Sequence, residues 1–457
     1  MKNLEKQEKN QKNYSLYKIT WPIFLELLLF ILMGNIDIFM LSLYSDYAAP
    51  AIAVANQFIE FSVVMFGFIS AGSAVIIAQY IGAKKKNEAK RVSGLSILCS
   101  IVFGIVVAFI FMFFRFELLN IMTLEDIMLG YASTFLLYVG GFIFLQAGIS
   151  GVYAVLRSYG YTKDTLKVTI AMNVLSATGN ALVLFGLFGM PVLGVFGVAI
   201  TTTISRGLAF LFALFLMFKH VGNPFKGVFA KMQEKAYFKT NGYYIKSIIK
   251  IGIPSAGENL SYNGYLMFLT SIITTMGGAA LITHVYSSAI NSFLFVITVS
   301  IAQGGQIIIG YLMGEKRFDE IYKKCFTYLK ITYIPSLSAA FILFLFAEPL
   351  MSIFTDNADA IALGRTIFGL FILLEIGRVL NIIVISYLRA CGDVVFPVVV
   401  GVFHMWGVGA VLSFIFAIRF NMGLPGIILG MAIEELSRGI IMIFRWRSKK
   451  WVEKGLT

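Results

Sequence analysis

An acid in the middle of an apolar helix is the first feature of this chain that could do chemistry. Asp37 sits in LFILMGNIDIFMLSLY, residues 29–44, a run that otherwise reads as lipid-compatible helix. An acid at mid-membrane depth costs about 2.5 to 3.5 kcal/mol on insertion scales, so it needs a partner or a water-filled cavity and must face a bundle interior. Glu26 lies eleven residues earlier, three helical turns away on the same face and roughly 16 Å distant in depth. Such an acid either binds a mobile cation or serves as a structural hydrogen-bond acceptor. A second group follows a proline: Glu258, Asn259, Tyr262 and Asn263 in ENLSYN offer oxygen ligands for a cation or hydrogen bonds for a polar substrate. Glu375 with Arg378, and Glu435 with Arg438, stand three residues apart, so each pair can neutralise itself. Glu375 joins Glu258, Asn259, Tyr262 and Asn263 as a candidate for substrate binding. Pro22 and Pro254 each remove a helical hydrogen bond and are candidate hinges or fixed kinks. His284 and His404 stand alone, without companions at ligand spacing.

The elements that hold these residues must be membrane helices. Of 457 residues, 58% are hydrophobic and 13% charged, with a mean hydropathy of +0.84, too little polar surface for a water-soluble body. About twelve runs have the roughly 20 apolar residues that span a bilayer. The lysine-rich N-terminus lacks a cleavage pattern, and the run after it is expected to stay as the first helix. The net charge of +13 is spread over short loops, so it signals topology rather than nucleic-acid binding. Basic loops alternate with acidic or neutral ones, which places both termini in the cytoplasm of a multi-pass cell-membrane protein. No nucleophile elbow, zinc-protease helix or phosphate-binding loop is present, which argues against an enzyme and against ATP-driven transport. Cys99, Cys325 and Cys391 lie far apart, implying neither disulfide nor metal site.

The chain also repeats itself. KITWPIFLE matches KIGIPSAGE, pairing Pro22 with Pro254 and Glu26 with Glu258, 232 residues apart in both cases. The same offset pairs Gly72 with Gly304, LRSYG (156–160) with LRACG (388–392), and the two SRG triplets at 205–207 and 437–439. The predicted fold class is all-α: a polytopic membrane protein of about twelve helices in two six-helix lobes related by pseudo-twofold symmetry. The lobes are expected at 1–218 and 247–457, joined by a cytoplasmic linker, 219–246. Because each copy has six spans, the repeats are parallel, an arrangement typical of alternating-access carriers.

These residues resemble the multidrug and toxic compound extrusion (MATE) family. The resemblance is carried by Pro22 with Asp37 fifteen positions on, AQYIGAKK (78–85), the segment GNALVLFGLFGMPVLGVFGVAITTTIS (179–205) and LRACGD (388–393). It implies a cation-coupled antiporter, driven by protons or sodium and with no other cofactor, that exports small organic and often cationic drugs or toxic compounds. By resemblance Asp37 and Asn180 form a cation-coupling site in the first lobe; in the second lobe relatives carry an acid about eight residues after the proline, whereas the candidate here, Glu258, lies four after Pro254, about one helical turn away on roughly the same face. Many relatives carry an acid four residues after Asn180, where this chain has Leu184. The working unit is expected to be a monomer in the lipid bilayer. A lipid-linked oligosaccharide flippase of the same superfamily is the alternative, with Arg378 and Arg438 as phosphate-binding candidates.

Overall fold

Twelve helical segments of the computed structural model account for the apolar runs; residues 15–122, 124–229 and 235–455 are described. In chain order they are α1 (Leu16–Tyr44), α2 (Ala48–Gly82), α3 (Lys86–Asn120), the bent α4 (Asp126–Gly140 with Phe144–Ser158), α5 (Thr162–Phe185) and α6 (Gly194–His220). The second repeat gives α7 (Lys235–Thr274), α8 (Gly278–Gly314), α9 (Phe318–Leu345), α10 (Ala358–Ala390), α11 (Val395–Arg419) and α12 (Leu424–Arg447). Among the described residues nine of these helices, and a tenth span if the two halves of α4 are joined across their 46° bend, are long and apolar enough to cross a membrane. The other two, α7 and α12, have the length but carry ENLSYN and EELSR. Their low apolarity has a local cause, since both hold charged groups that pair inside the protein.

The repeat is visible in the backbone. After α2 and after α8 the chain reverses through a lysine in the left-handed region, Lys84 (φ 61°) and Lys316 (φ 58°). The closing bonds match: Lys85 N–H donates to Tyr80 O at 2.9 Å, and Arg317 N–H to Leu312 O at 3.0 Å. After α4 and α10 the same role falls to Gly160 and Gly392, with φ of 81° and 90°, where the absence of a side chain makes the turn inexpensive.

The described residues form two compact units, each with its own apolar core. One comprises residues up to Phe24 together with those from Gly257 onward; the other runs from Leu25 to Ala256. The second unit's core includes Leu41, Phe66, Phe135 and Leu184, and the first unit's includes Tyr265, Phe368, Met405 and Ile427. The cut falls within α1 and α7, two residues after Pro22 and two after Pro254, and so departs from lobes bounded at 218 and 247. Close packing explains the departure. A Cβ on Gly304 of α8 would collide with Thr20 of α1, and a Cβ on Gly72 of α2 would lie 2.5 Å from the carbonyl oxygen of Ile248 in α7. Neither helix is interrupted at its proline.

The linker is shorter than expected because α7 begins at Lys235, not near 247. Its early turns pack through Tyr244 on Tyr80, ring centroids 6.0 Å apart, and through Asn241, which accepts from Arg91 at 2.6 Å. Linker residues 230–234 and the polar N-terminal stretch to residue 14 lie outside the described residues.

Candidate functional site

In the unit spanning Leu25–Ala256, α1 and α5 run parallel and are joined by three polar links. Thr165 donates to Glu26 at 2.8 Å, Asn173 to the carbonyl of Leu29 at 3.2 Å, and Asn180 to Asp37 Oδ1 at 2.9 Å. Glu26 and Asp37 therefore do share a face, as eleven-residue spacing requires. They differ in what answers their charge. Glu26 is buried and ion-paired to Arg157 of α4 at 2.6 Å. Asp37 is half-buried, its partner is a neutral amide, and its Oδ2 takes no hydrogen bond among the described residues.

Asn180 is held in turn by α6, where the Thr201 hydroxyl bonds its amide oxygen and leaves the NH₂ end for Asp37. Gly179 makes this approach possible, since a Cβ there would sit only 3.0 Å from Thr201 Cβ. Leu184, at the position where many relatives carry an acid, is buried in the apolar core. Glu60 of α2 is exposed and makes no hydrogen bond or ion pair among the described residues.

The unit containing Gly257–Thr457 gathers a larger charged cluster. Arg438 of α12 contacts Glu434 at 3.0 Å, Glu435 at 3.2 Å and Glu258 of α7 at 3.9 Å. Glu258 is also paired with Arg389 of α10, the repeat counterpart of the Glu26–Arg157 pair. Glu375 pairs with Arg378, which donates to Asn291 at 3.1 Å, and Asn381 donates to Glu435 at 2.6 Å. Except for Arg389 and Asn291 these side chains are buried, and Gly377 lets α10 and α12 approach so closely that a Cβ there would lie 2.5 Å from Leu436 N. Four carboxylates (Glu258, Glu375, Glu434, Glu435) face three guanidiniums (Arg378, Arg389, Arg438), one negative charge in excess when all are ionised.

ENLSYN does not act as one cluster. Glu258 and Tyr262, four residues apart, turn toward the charged network, and Tyr262 lies within electrostatic range of Arg378 and Arg438. Asn259 and Asn263 occupy the next face and are exposed, with Asn263 bonded back to its own helix at the carbonyl of Asn259, 2.9 Å. Glu375 and Glu258 thus share one network, but the two asparagines are not brought to it. No group of three or more His, Cys, Asp or Glu side chains among the described residues could hold a metal ion.

Comparison with known proteins fits this twofold geometry. The MatE family model matches the chain twice, at residues 22–182 and 254–415, starting at the two prolines 232 residues apart. The chain belongs to the MATE family of transporters. It is 41% identical to the uncharacterized transporter YisQ of Bacillus subtilis, covering 97% of this chain and 96% of that one. It is 25% identical to the probable multidrug resistance protein NorM of Thermotoga maritima, over 99% and 96% of the two chains. A crystal structure of MATE in the bent conformation superposes with a TM-score of 0.85 and 18% identity, covering 99% of both chains. The all-helical polytopic membrane fold is therefore that of the MATE transporters, which are not enzymes.

Several members of the MATE charge networks escape a local reading of the sequence. Arg157 and Arg389 stand in the repeated LR motifs, so the repeat itself was the available signal; the repeated SRG triplets likewise point from Arg438, legible beside Glu435, to Arg206. Nothing in the sequence marks Thr201, whose role depends on the approach of α5 and α6.

Proposed function

We propose that the chain is a cation-coupled antiporter that exports organic, cationic compounds across the cell membrane by alternating access, with Asp37 as the acid that takes the driving proton or sodium ion. The reading is supported above all by the state of Asp37: a half-buried carboxylate in a membrane helix, oriented by Asn180, with one oxygen left open and no guanidinium hydrogen-bonded to it. A neutral donor positions an anion without cancelling its charge, so a mobile cation still gains by binding. Coupling requires that the cation bind one conformation better than the other. Pro22 and Pro254 are proposed as the places where α1 and α7 bend between conformations, changing the surroundings of Asp37 and Glu258. In the second lobe Glu258, with Glu375 and Tyr262, is proposed to contact the second cation site or the substrate, aided by the excess negative charge of that network. The chain is proposed to work as a monomer with both termini cytoplasmic.

The flippase alternative drew on Arg378 and Arg438 as phosphate-binding groups. Both are already held by carboxylates, which removes that argument.

The test is dye export from proteoliposomes under an imposed pH gradient, repeated with a sodium gradient alone. Asp37→Asn keeps the size and removes the titration; well-inserted protein is expected to lose nearly all export. Full export under either gradient would refute the coupling role.

A further inference from the structure

The two SRG triplets place an arginine at the same point of each repeat, Arg206 in α6 and Arg438 in α12, and the structure treats them oppositely. Arg438 is surrounded by three carboxylates, two of them from its own helix at 434 and 435. At the corresponding positions before Arg206 the chain has Thr202 and Thr203. Thr203 spends its hydroxyl on the carbonyl of Ala199, 2.8 Å away. Arg206 makes no ion pair or hydrogen bond among the described residues, and its Nη1 is sealed from solvent without an acceptor. An unsatisfied guanidinium nitrogen in such a place costs free energy that an incoming oxyanion would recover. The other arginines inside the helical bundles, Arg157, Arg378 and Arg389, each have a carboxylate.

Arg206 also belongs to the Asp37 site. It lies within electrostatic range of Asp37, on the same helix as Thr201. Without the acid that many relatives carry at position 184, the formal charge of this site is the sum of one aspartate and one arginine, which is zero. A compound with only a positive charge is drawn by Asp37 and repelled by Arg206. One with only a negative charge meets the reverse. A compound carrying both finds a partner for each and leaves the site neutral, and its ammonium still competes with the driving cation at Asp37, as antiport demands.

We propose that Arg206 is a substrate-binding residue that anchors an acidic group, a carboxylate, sulfonate or phosphate, of an amphoteric compound whose cationic end is read by Asp37. This deepens the reading of Asp37 as the coupling acid and rests on it for the cationic end only.

Rhodamine 110, which carries a free carboxylate, and rhodamine 123, its methyl ester, are matched probes that differ in that one charge. Their binding to the purified full-length protein in detergent is read by fluorescence polarisation, for wild type, Arg206→Gln and Arg206→Lys. Arg206→Gln is expected to weaken rhodamine 110 by at least about tenfold, the scale of losing a charge-assisted hydrogen bond, and to leave rhodamine 123 unchanged or tighter. Arg206→Lys should retain part of the preference and guards against misfolding of the glutamine variant. Equal weakening of both dyes, no change with either, or no binding of rhodamine 110 to wild type would overturn the assignment. Failure of the coupling reading shows separately, as normal driven transport by Asp37→Asn with the dye discrimination of Arg206 intact.

Discussion

Replacing Arg438 with methionine tests the charged network of the second lobe. The substitution keeps much of the side-chain volume and removes a guanidinium that is 4% exposed. Three carboxylates lose a partner at once. Glu434, at 3.0 Å, keeps no guanidinium; Glu435, at 3.2 Å, keeps only the amide of Asn381; Glu258, at 3.9 Å, keeps Arg389. Removing one partner of a buried ion pair costs about 3 to 5 kcal/mol, because the remaining charge is left without compensation. For a unit of about 200 residues that corresponds to a fall in melting temperature of roughly 6 to 20 °C. Cys325 and Cys391 are buried in this same unit, so once the partly exposed Cys99 of the other unit is replaced by serine, a thiol-reactive fluorogenic dye reports its unfolding in detergent. The triple variant Arg438→Met, Glu434→Gln, Glu435→Gln removes the uncompensated charges and should recover most of the loss, since exchanging a buried ion network for neutral groups is often close to free. A melting temperature for Arg438→Met within about 2 °C of wild type, or a triple variant as unstable as the single one, would refute the claim that these charges hold one another.

Glu258→Gln should weaken export more than Glu26→Gln, although the two are repeat equivalents, because Glu258 answers two guanidiniums and Glu26 one guanidinium and one hydroxyl; dye-efflux rates at equal expression decide it. Single cysteines at Asn87 and Asp319, exposed and 232 residues apart, are expected to resist an impermeant thiol reagent in whole cells when the native cysteines have been removed; labelling of either from outside would overturn the cytoplasmic placement of both loops.

The apolar runs were enough to find the twelve long helices of the described residues, because a bilayer requires about 20 apolar residues and tolerates few polar ones. They misplaced the start of α7, where the chain from Lys235 is polar and helical through packing of Tyr244 and Asn241 rather than through hydropathy. Asp37 and Asn180 were legible as a pair by resemblance, and α5 does bring them together. ENLSYN misled because nearness in sequence is not nearness in space: at about 100° per residue, Glu258 and Tyr262 fall on one face and Asn259 and Asn263 on the next. Glu375–Arg378 and Glu435–Arg438 were legible at three-residue spacing, but Glu26–Arg157 and Glu258–Arg389 were invisible to local reading because their members stand 131 residues apart and meet only when α4 is beside α1 and α10 beside α7.

The seating of Thr20 against Gly304 bears on how the chain is made. Residues Leu25–Ala256 leave the ribosome as one uninterrupted stretch, and everything that unit packs against itself is present once Ala256 has emerged. The other unit is discontinuous. Its first contribution, the start of α1, precedes the whole of Leu25–Ala256 in the chain, yet its glycine seat on α8 comes more than 280 residues later, and the unit closes only when α12 has emerged. Vectorial synthesis therefore lets the unit of Leu25–Ala256 finish first and leaves the first turns of α1 waiting for α8 to α12.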